Sequence, residues 1–401
     1  MDLAGKKIVL GLTGGIACYK AAELTRALTK AGATVQVVMT EAATRFISPM
    51  TMQALSGNPV YLDQWDHRID NHMPHIDLTR DADAILIAPC SADFMAKLAH
   101  GHCNDLLSTL CVARPVLLPL LIAPAMNVEM WQNAATQRNA RQLRDDGIVL
   151  LGPDAGEQAC GEIGMGRMME PIHLLEEMVA AFQVKSLSGK QVLITAGPTY
   201  EPIDPVRGIT NLSSGRMGYA LARAAREAGA EVTLVSGPTA LATPLGVHRV
   251  NVQTAQQMFD VVMSRVASQD VFIAVAAVAD WRVQNSSAHK IKKSGDATPQ
   301  LHFVANPDIL AAVAALPAKP YCVGFAAESE ELLKYGKSKR ERKNIPLLVG
   351  NIGHETFGLD DNELILFDQA GQVHIPRTSK QALARRLIAE ISERIAASPT
   401  L

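Results

Sequence analysis

At 401 residues the chain exceeds one comfortable core and implies two domains, because a single domain holds about 100–200 residues. With 48% hydrophobic and 19% charged residues and a formal net charge of −2, it reads as a soluble globular protein with no electrostatic footprint for nucleic acid or an anionic membrane, so small-molecule partners are expected. Cysteines 18, 90, 103, 111, 160 and 322 form no CxxC pair, which excludes a zinc ribbon and a disulfide framework and points to reduced thiols.

In chain order, Lys6-Lys7 followed by IVLGL has the charge-then-apolar order of a leader. The apolar run breaks at Thr13-Gly14-Gly15 and no small-residue cleavage site follows, so we read it as the first strand of a cytoplasmic protein. KIVLGL, a helix over 17–31, VQVVM at 35–39, a helix, DAILIAP at 83–89, another helix and PVLLPLLIAP then alternate. The stretch VARPVLLPLLIAPAM carries Arg114 and three prolines, so it reads as buried strand and turn and not as a membrane span. Apolar strands without polar alternation predict a parallel sheet covered on both faces.

GLTGGIA, with Gly14, Gly15, Ile16 and Ala17, lies between a strand and a helix, where main-chain N–H groups at a helix start cradle phosphate. Its spacing is not GxGxxG, which weakens a dinucleotide and leaves a mononucleotide such as FMN. Thr40 in MTEAA, and Pro89, Ser91 and Ala92 in APCSAD, follow strands in the same way; taken singly, each of these turns reads as a helix cap. HMPHIDL places His75 just before a helix start, PAMNVEMW places Asn127 after a buried strand, and EQACGEIGMGRM places Cys160 in a loop with three glycines. A lone histidine is usually structural, a lone cysteine a small core hydrophobe and an asparagine after proline a turn former, but here the three occur together. His67, His72 and His75 have no element that would converge them on a metal.

From residue 187 the pattern starts again: QVLIT, a helix over 214–228, EVTLVSG, a helix over 254–268, DVFIAVAAV, a helix over 307–315, YCVGFAAE, a helix over 329–343 and IPLLVGN. ELILFDQAGQVHIP predicts a hairpin turning at Ala370-Gly371, followed by an amphipathic helix over 379–397. GATVQVVMTEAA and GAEVTLVSGPTA echo each other, which duplication and convergence of βαβ units explain equally. The two domains are expected to join near Phe182–Ser188. TAGPTYEPIDPVRGITNLSSGRMG reads as a proline-stiffened loop ahead of a Ser-Ser-Gly helix start that favours an anion; that reading leaves Arg207 and Asn211 without a reason. AVAAVADWR ends a strand with Asp280, HKIKK supplies Lys290, Lys292 and Lys293, ANPDIL opens a helix, and GFAAE carries Phe325. A KIKK run is normally a solvated face; beside a strand-end aspartate it can neutralise a triphosphate while the carboxylate holds Mg2+.

PHIDL, PAMN and ACGEIGMGRM resemble the flavin-dependent cysteine decarboxylases. The chain from GLTGGIA to the C-terminal hairpin resembles the bacterial bifunctional phosphopantothenoylcysteine decarboxylase/phosphopantothenate-cysteine ligases of coenzyme A synthesis. The resemblance implies an α/β protein of two tandem Rossmann-like doubly wound domains: a flavodoxin-like FMN-dependent decarboxylase over residues 1–186 and a CTP-dependent, nucleotide-binding ligase over residues 187–401. It implies that the cysteinyl thiol is oxidised to a thioaldehyde, CO2 is lost and the reduced flavin returns its electrons. His75 acts at oxidation and decarboxylation, Asn127 holds the substrate's carboxylate and amide, and Cys160 donates the proton to the enethiol. In the ligase, 4'-phosphopantothenate becomes an acyl-cytidylate from which cysteine displaces CMP. Ala274, Val275, Ala276, Asp280, Lys290, Asn306, Pro307, Asp308, Ile309, Phe325, Lys339 and Lys343 then contact CTP, Asp280 carries Mg2+, and Asn211 and Arg207 hold the phosphopantothenate side. Decarboxylase trimers and ligase dimers are implied, giving a homo-oligomer. The chain departs from the family in His289, where an acidic residue is common, and in Ile352, where an aspartate commonly follows the asparagine.

YGKSK at 335–339 satisfies the YxxxK of short-chain dehydrogenases, but TAGPTYEP lacks the glycines that admit a pyrophosphate. The fused ligase argues against a decarboxylase of peptide C-terminal cysteine and against a prenylated-flavin maker. His75, Cys160 and Lys290 together argue against a regulatory pseudoenzyme.

Overall fold

Strands that are apolar on both sides need helices on both sides, and the computed structural model shows how the chain meets that need. It describes residues 1–65, 73–159, 161–292, 300–328, 332–352 and 360–397. His67, His72, Cys160 and Lys293 lie outside the described residues. The chain divides into two units, Met1–Phe182 and Gln183–Leu401.

The first unit runs β1 (Lys7–Leu12), α1 (Cys18–Lys30), β2 (Thr34–Met39), α2 (Glu41–Thr44), α3 (Pro49–Ser56), α4 (Pro74–Arg80), β3 (Ala84–Cys90), α5 (Ala92–His100), α6 (Leu106–Ala113), β4 (Leu120–Pro124), α7 (Val128–Gln132), α8 (Ala134–Asp145), β5 (Val149–Leu150), β6 (Asp154–Glu157), β7 (Ile163–Arg167) and α9 (Pro171–Ala181). Five strands form one parallel sheet in the order β2-β1-β3-β4-β5, the flavodoxin-like order, with Ile8 opposite Val35 on one side and Ala84 on the other. One face packs Val9, Ile85, Ile87 and Ile122 on Phe94 of α5 and Leu107 and Leu110 of α6, all buried.

The second unit runs β8 (Gln191–Ala196), β9 (Tyr200–Asp204), β10 (Arg207–Thr210), α10 (Arg216–Glu227), β11 (Glu231–Ser236), β12 (Val247–Asn251), α11 (Ala255–Arg265), β13 (Val271–Ala274), β14 (Trp281–Val283), β15 (Phe303–Ala305), α12 (Ile309–Ala314), β16 (Tyr321–Glu328), α13 (Leu332–Lys343), β17 (Leu347–Ile352), β18 (Asp361–Phe367), β19 (Gln372–Ser379) and α14 (Lys380–Ala397). Its sheet has eight strands in the order β12-β11-β8-β13-β16-β17-β18-β19; the first six are parallel and the terminal hairpin is antiparallel. Side chains alternate between its faces. Val192, Ile194, Val271 and Ile273 join one core with Leu387 of α14, while Leu193 and Phe272 join the other with Met258 of α11 and Leu310 of α12. Burying a side chain such as Phe272 contributes about 1.5–3 kcal/mol.

Four readings of the sequence change. The strand expected over DVFIAVAAV ends at Ala274, because the next residues turn across the end of β8: Ala277 N–H donates to Gly197 O at 2.9 Å, and Ala277 O accepts from Thr199 N at 3.2 Å. The expected loop TAGPTYEPIDPVRGITN contains the β9–β10 hairpin, and the glycine loop around 160 is flanked by the β6–β7 hairpin. His75 sits inside the first turn of α4, not before it. Among the described residues, no helix is long and apolar enough to cross a membrane.

Candidate functional site

In an open doubly wound sheet a crevice forms where the strand order reverses, beyond the C-terminal ends of the strands. In the first unit that point lies between β1 and β3. Thr13, buried, fastens the two loops there: its hydroxyl donates to Pro89 O at 2.8 Å and accepts from Ser91 N–H at 2.9 Å. Gly14 brings the β1–α1 turn against α2 so closely that a Cβ would lie 2.6 Å from Ala42 Cβ. Beside these turns is a cleft of about 650 Å3, lined by Gly14, Gly15, Ile16, Ala17, Ser91, Ala92, Ala125, Met126, Asn127 and Met130, and by Gln158, Gly166, Arg167 and Met168 of the β6–β7 region.

Asn127 caps α7, its Oδ1 accepting from Met130 N–H at 2.9 Å, which leaves the amide nitrogen to donate to the Glu162 carboxylate at 3.2 Å. Gln158 accepts from Val128 N–H at 3.0 Å, and Met126 N–H donates to Gly166 O at 2.9 Å, so the hairpin is tied to the Asn127 turn. Gly166 has φ +140°, and a Cβ there would lie 2.4 Å from Met126 O. Lys20, one turn into α1 and buried, also lines the cleft; its ammonium donates to Met168 O at 3.2 Å and Glu170 Oε1 at 2.8 Å. The hydrogen bond from Lys20, with Arg167 alongside, holds the Glu170 carboxyl below the usual carboxylate range. The sequence reading missed Lys20, although a signal was present: a charge on the stripe shared with Ala21, Leu24 and Leu28.

Three expected residues stand outside this cleft. Thr40 caps α2, accepting from Ala43 N–H at 3.3 Å. Pro89 acts through its carbonyl on Thr13. His75 is half-buried on α4, and its carbonyl accepts from the Thr79 hydroxyl at 3.2 Å.

In the second unit the order reverses between β8 and β13. A cavity of about 750 Å3 there gathers Asn211, Ala274, Ala276, Asp280, Asn306, Pro307, Asp308, Ile309, Phe325, Lys339 and Lys343. A smaller recess of about 130 Å3 shares Ala276, Ala277 and Phe325 with it and adds Val275, Ser213, Ser214, Gly215, Arg216, Met217, Gly218, Asn351, Asn362 and Lys380. The loop after β13 is braced at three points. Asn211 Nδ2 donates to Ala277 O, Asn306 Nδ2 to Ala279 O and Asn306 N–H to Asp280 O, each at 2.8 Å. Asp308 caps α12 through Ala311 N–H at 3.0 Å and receives Lys343 Nζ at 3.1 and 3.0 Å. Burial pushes the Asp308 carboxyl up, but the Ala311 amide and the Lys343 ammonium outweigh it and hold it below the carboxylate range. In the recess, burial and then Arg216 push the Lys380 ammonium below its ordinary value, an environment that an anion would relieve. Ser213, Arg216 and Lys380 were not singled out individually in the sequence; the Ser-Ser-Gly helix start hinted at Ser213 and Arg216, and nothing in the sequence pointed to Lys380.

Arg207 and Lys290 line neither cavity. Lys290 is exposed on the loop that follows β14, and Arg207 is paired with the buried Asp204. Among the described residues, no group of three His, Cys, Asp or Glu is placed to hold a metal ion. Asp280 alone fits Mg2+ only with phosphate oxygens completing the shell, the usual arrangement for that ion.

The family model described as Flavoprotein matches residues 1–183, and the one described as DNA/pantothenate metabolism flavoprotein C-terminal domain matches residues 187–395. The coenzyme A biosynthesis bifunctional protein CoaBC of Vibrio cholerae is 52% identical over 399 residues, covering 98% of this chain and 100% of that protein. Its counterpart in Escherichia coli K12 is 48% identical over 401 residues, covering 98% of each. Among solved structures, the crystal structure of the C-terminal domain of a coenzyme A biosynthesis bifunctional protein is 37% identical, covers 53% of this chain and 100% of that one, and superposes with a TM-score of 0.47. With both halves matched in order and a relative identical at half its positions over its whole length, the chain belongs to the family of bifunctional coenzyme A biosynthesis proteins.

Proposed function

We propose that the chain joins cysteine to 4'-phosphopantothenate with CTP in residues 187–401 and decarboxylates the product, 4'-phosphopantothenoylcysteine, with FMN in residues 1–186. The observation that carries this reading is that each unit has its own cleft at its own strand-order reversal, one flanked by a glycine turn and apolar side chains, the other lined by asparagines, aspartates and lysines.

The first cleft suits FMN. The Gly14–Ala17 turn at the start of α1 and the Ser91-capped start of α5 suit a phosphate, and Ile16, Met126 and Met130 suit a flat ring. Bound flavin supplies the two-electron acceptor that prepares the cysteinyl carboxylate for loss as CO2. Asn127 already donates to one carboxylate, Glu162, and a substrate carboxylate would take over that donor. His75, whose imidazole can both take up and give a proton, is assigned to the stage before CO2 leaves; Cys160 is assigned to the proton delivered after it. Because His75 lies outside its own chain's cleft, we assign it to the cleft of a neighbouring copy in a decarboxylase trimer, with the ligase units pairing as dimers.

In the second cleft a carboxylate oxygen of 4'-phosphopantothenate attacks the α-phosphorus of CTP and pyrophosphate leaves. The amine of cysteine then attacks the acyl carbon, losing a proton as CMP departs. Ala274–Ala276, Asn306–Ile309, Phe325, Lys339 and Lys343 would seat the nucleotide, with its phosphates toward Ser213–Gly218 at the start of α10. Asp280 would hold Mg2+ together with phosphate oxygens, Lys290 would neutralise charge that grows as pyrophosphate leaves, and Asn211 and Arg207 would guide the acyl intermediate.

The test is the absorption spectrum of the purified protein with two product assays. A yellow protein that yields FMN on denaturation, releases CO2 from 4'-phosphopantothenoylcysteine and forms CMP only with 4'-phosphopantothenate present is expected. A colourless protein that takes up no added FMN would reject the decarboxylase assignment, and absence of CMP would reject the ligase assignment.

A further inference from the structure

Resting on the ligase reading above, we propose that Asp204 is the positioning residue for Lys290, holding the loop between Ser287 and Lys292 through the β9–β10 hairpin.

Asp204 ends β9 and is buried, yet it gathers donors from two segments far apart in sequence. Its Oδ1 accepts from Val206 N–H and Arg207 N–H, each at 2.9 Å, which fixes the hairpin turn. Its Oδ2 accepts from Arg207 Nε at 3.0 Å and from Ile291 N–H at 3.1 Å, and Arg207 Nη2 closes the ion pair. The same Nη2 donates to Ile291 O at 2.9 Å, so both main-chain groups of Ile291 are held. On the other side of Lys290, Ser287 N–H donates to Ile203 O at 2.9 Å, and the Ser287 hydroxyl donates to His289 O at 2.6 Å. Lys290 is therefore an exposed residue on a short span anchored at both ends to β9. A long, mobile ammonium gains directional value only if its Cα is fixed, and these contacts fix it. Arg207 holds the Asp204 carboxyl well below the usual carboxylate range, so the acceptor stays ionised wherever the enzyme works.

Chemistry requires a carboxylate at this position. Asparagine has one acceptor oxygen, so whichever way its amide faces, two N–H donors meet either the Val206–Arg207 turn or the Arg207–Ile291 pair. Asp204→Asn should therefore release the loop while preserving side-chain volume.

The experiment is ligase kinetics on the full-length protein for Asp204→Asn, Lys290→Gln and the double variant, with decarboxylation of supplied 4'-phosphopantothenoylcysteine as the check on the other unit. We expect Asp204→Asn to lower ligase kcat about 10-fold or more, with a much smaller change in the KM for CTP. The double variant should be no slower than Lys290→Gln alone, since a misplaced lysine and an absent one are the same loss. A generally destabilised unit would instead multiply the two effects. If Lys290→Gln is slow while Asp204→Asn is normal or its effect multiplies, the positioning role is overturned and the ligase role of Lys290 stands. If Lys290→Gln turns over normally, both fall. Should Asp204→Asn fail to fold, Arg207→Gln takes its place. The same lack of additivity supports the clamp, and multiplied effects with a raised KM for 4'-phosphopantothenate overturn it.

Discussion

Asp83 and Asp270 do the same work in the two units. Asp83 Oδ2 accepts from Lys7 N–H at 2.8 Å and Oδ1 from Lys6 Nζ at 2.9 Å; Asp270 Oδ2 accepts from Gln191 N–H at 2.7 Å and Oδ1 from Lys190 Nζ at 3.0 Å. Each carboxylate thus pins the start of the first strand of its unit to the residue leading into the neighbouring strand, across the reversal point. Partial burial pushes both carboxyls up, but the main-chain N–H and the lysine outweigh it and hold both below the ordinary value. That stabilisation is complete above the unfolded-state pKa of about 3.9 and is lost only as pH falls below it through the folded-state value. Asp83→Asn should cost the first unit about 1 kcal/mol at neutral pH, given partial solvent screening, and progressively less as pH falls below about 4. Thermal inactivation of decarboxylation should shift while that of ligation does not, and Asp270→Asn should do the reverse. Equal shifts in both activities from either variant would show that the units do not unfold separately.

The order of the decarboxylation chemistry is open to a direct reading. With His75→Asn the substrate should leave the flavin oxidised and yellow. With Cys160→Ala the colour should bleach at first turnover and the oxidised aminoenethiol should accumulate. Rapid-mixing absorbance distinguishes them, and bleaching by neither variant would overturn the separation of roles.

Lys20 ties α1 to the segment leading into α9 beneath the flavin cleft. Lys20→Met keeps much of the length but removes the donor shared by Met168 O and Glu170, at a cost of about 1–3 kcal/mol, chiefly for the stranded Met168 carbonyl, since Glu170 keeps Arg167 at 2.7 Å. Lower flavin retention on gel filtration is expected with ligase turnover unchanged; full retention would confine Lys20 to a packing role.

Thiol titration should separate the cysteines by burial. Burial pushes Cys18 and Cys322 to about 11 and raises Cys90 and Cys111 as well, whereas Cys103 is exposed. Since the thiolate is the reacting form, a Cys160→Ala variant at pH 8 should give one fast equivalent, removed by Cys103→Ser, with four more appearing only on denaturation. Two or more fast equivalents in the folded Cys160→Ala variant would contradict the burial.

Lys343→Met should raise the KM for CTP several-fold with little change in kcat, because its ammonium holds Asp308 at the cavity wall and takes no part in bond breaking. A kcat loss matching that of Lys290→Gln would place Lys343 at the reacting phosphate instead.

Uninterrupted apolar runs such as AILIAP and QVLIT, each feeding a turn and a helix, were enough to read covered parallel sheets in two copies, since a strand buried on both faces leaves no other composition. Gly14 and Ser91 were legible for the same local reason: close approach and capping are settled within a few residues. Thr40 was legible both as a helix cap and as a phosphate or ribose contact, and the structure shows it capping α2. Other features depended on partners distant in sequence. Lys20 meets Glu170 across 150 positions and Asp204 meets Ile291 across 87, and no periodicity carries such pairings. Arg207 was legible only as an expected contact to the phosphopantothenate side. The structure adds a pairing with Asp204, three residues earlier, and with the main chain of Ile291, brought within 2.9 Å by the tertiary fold. Local chemistry determined which elements form and where their turns fall; the order of strands in each sheet decided which side chains face a cleft and which hold the loop beside it.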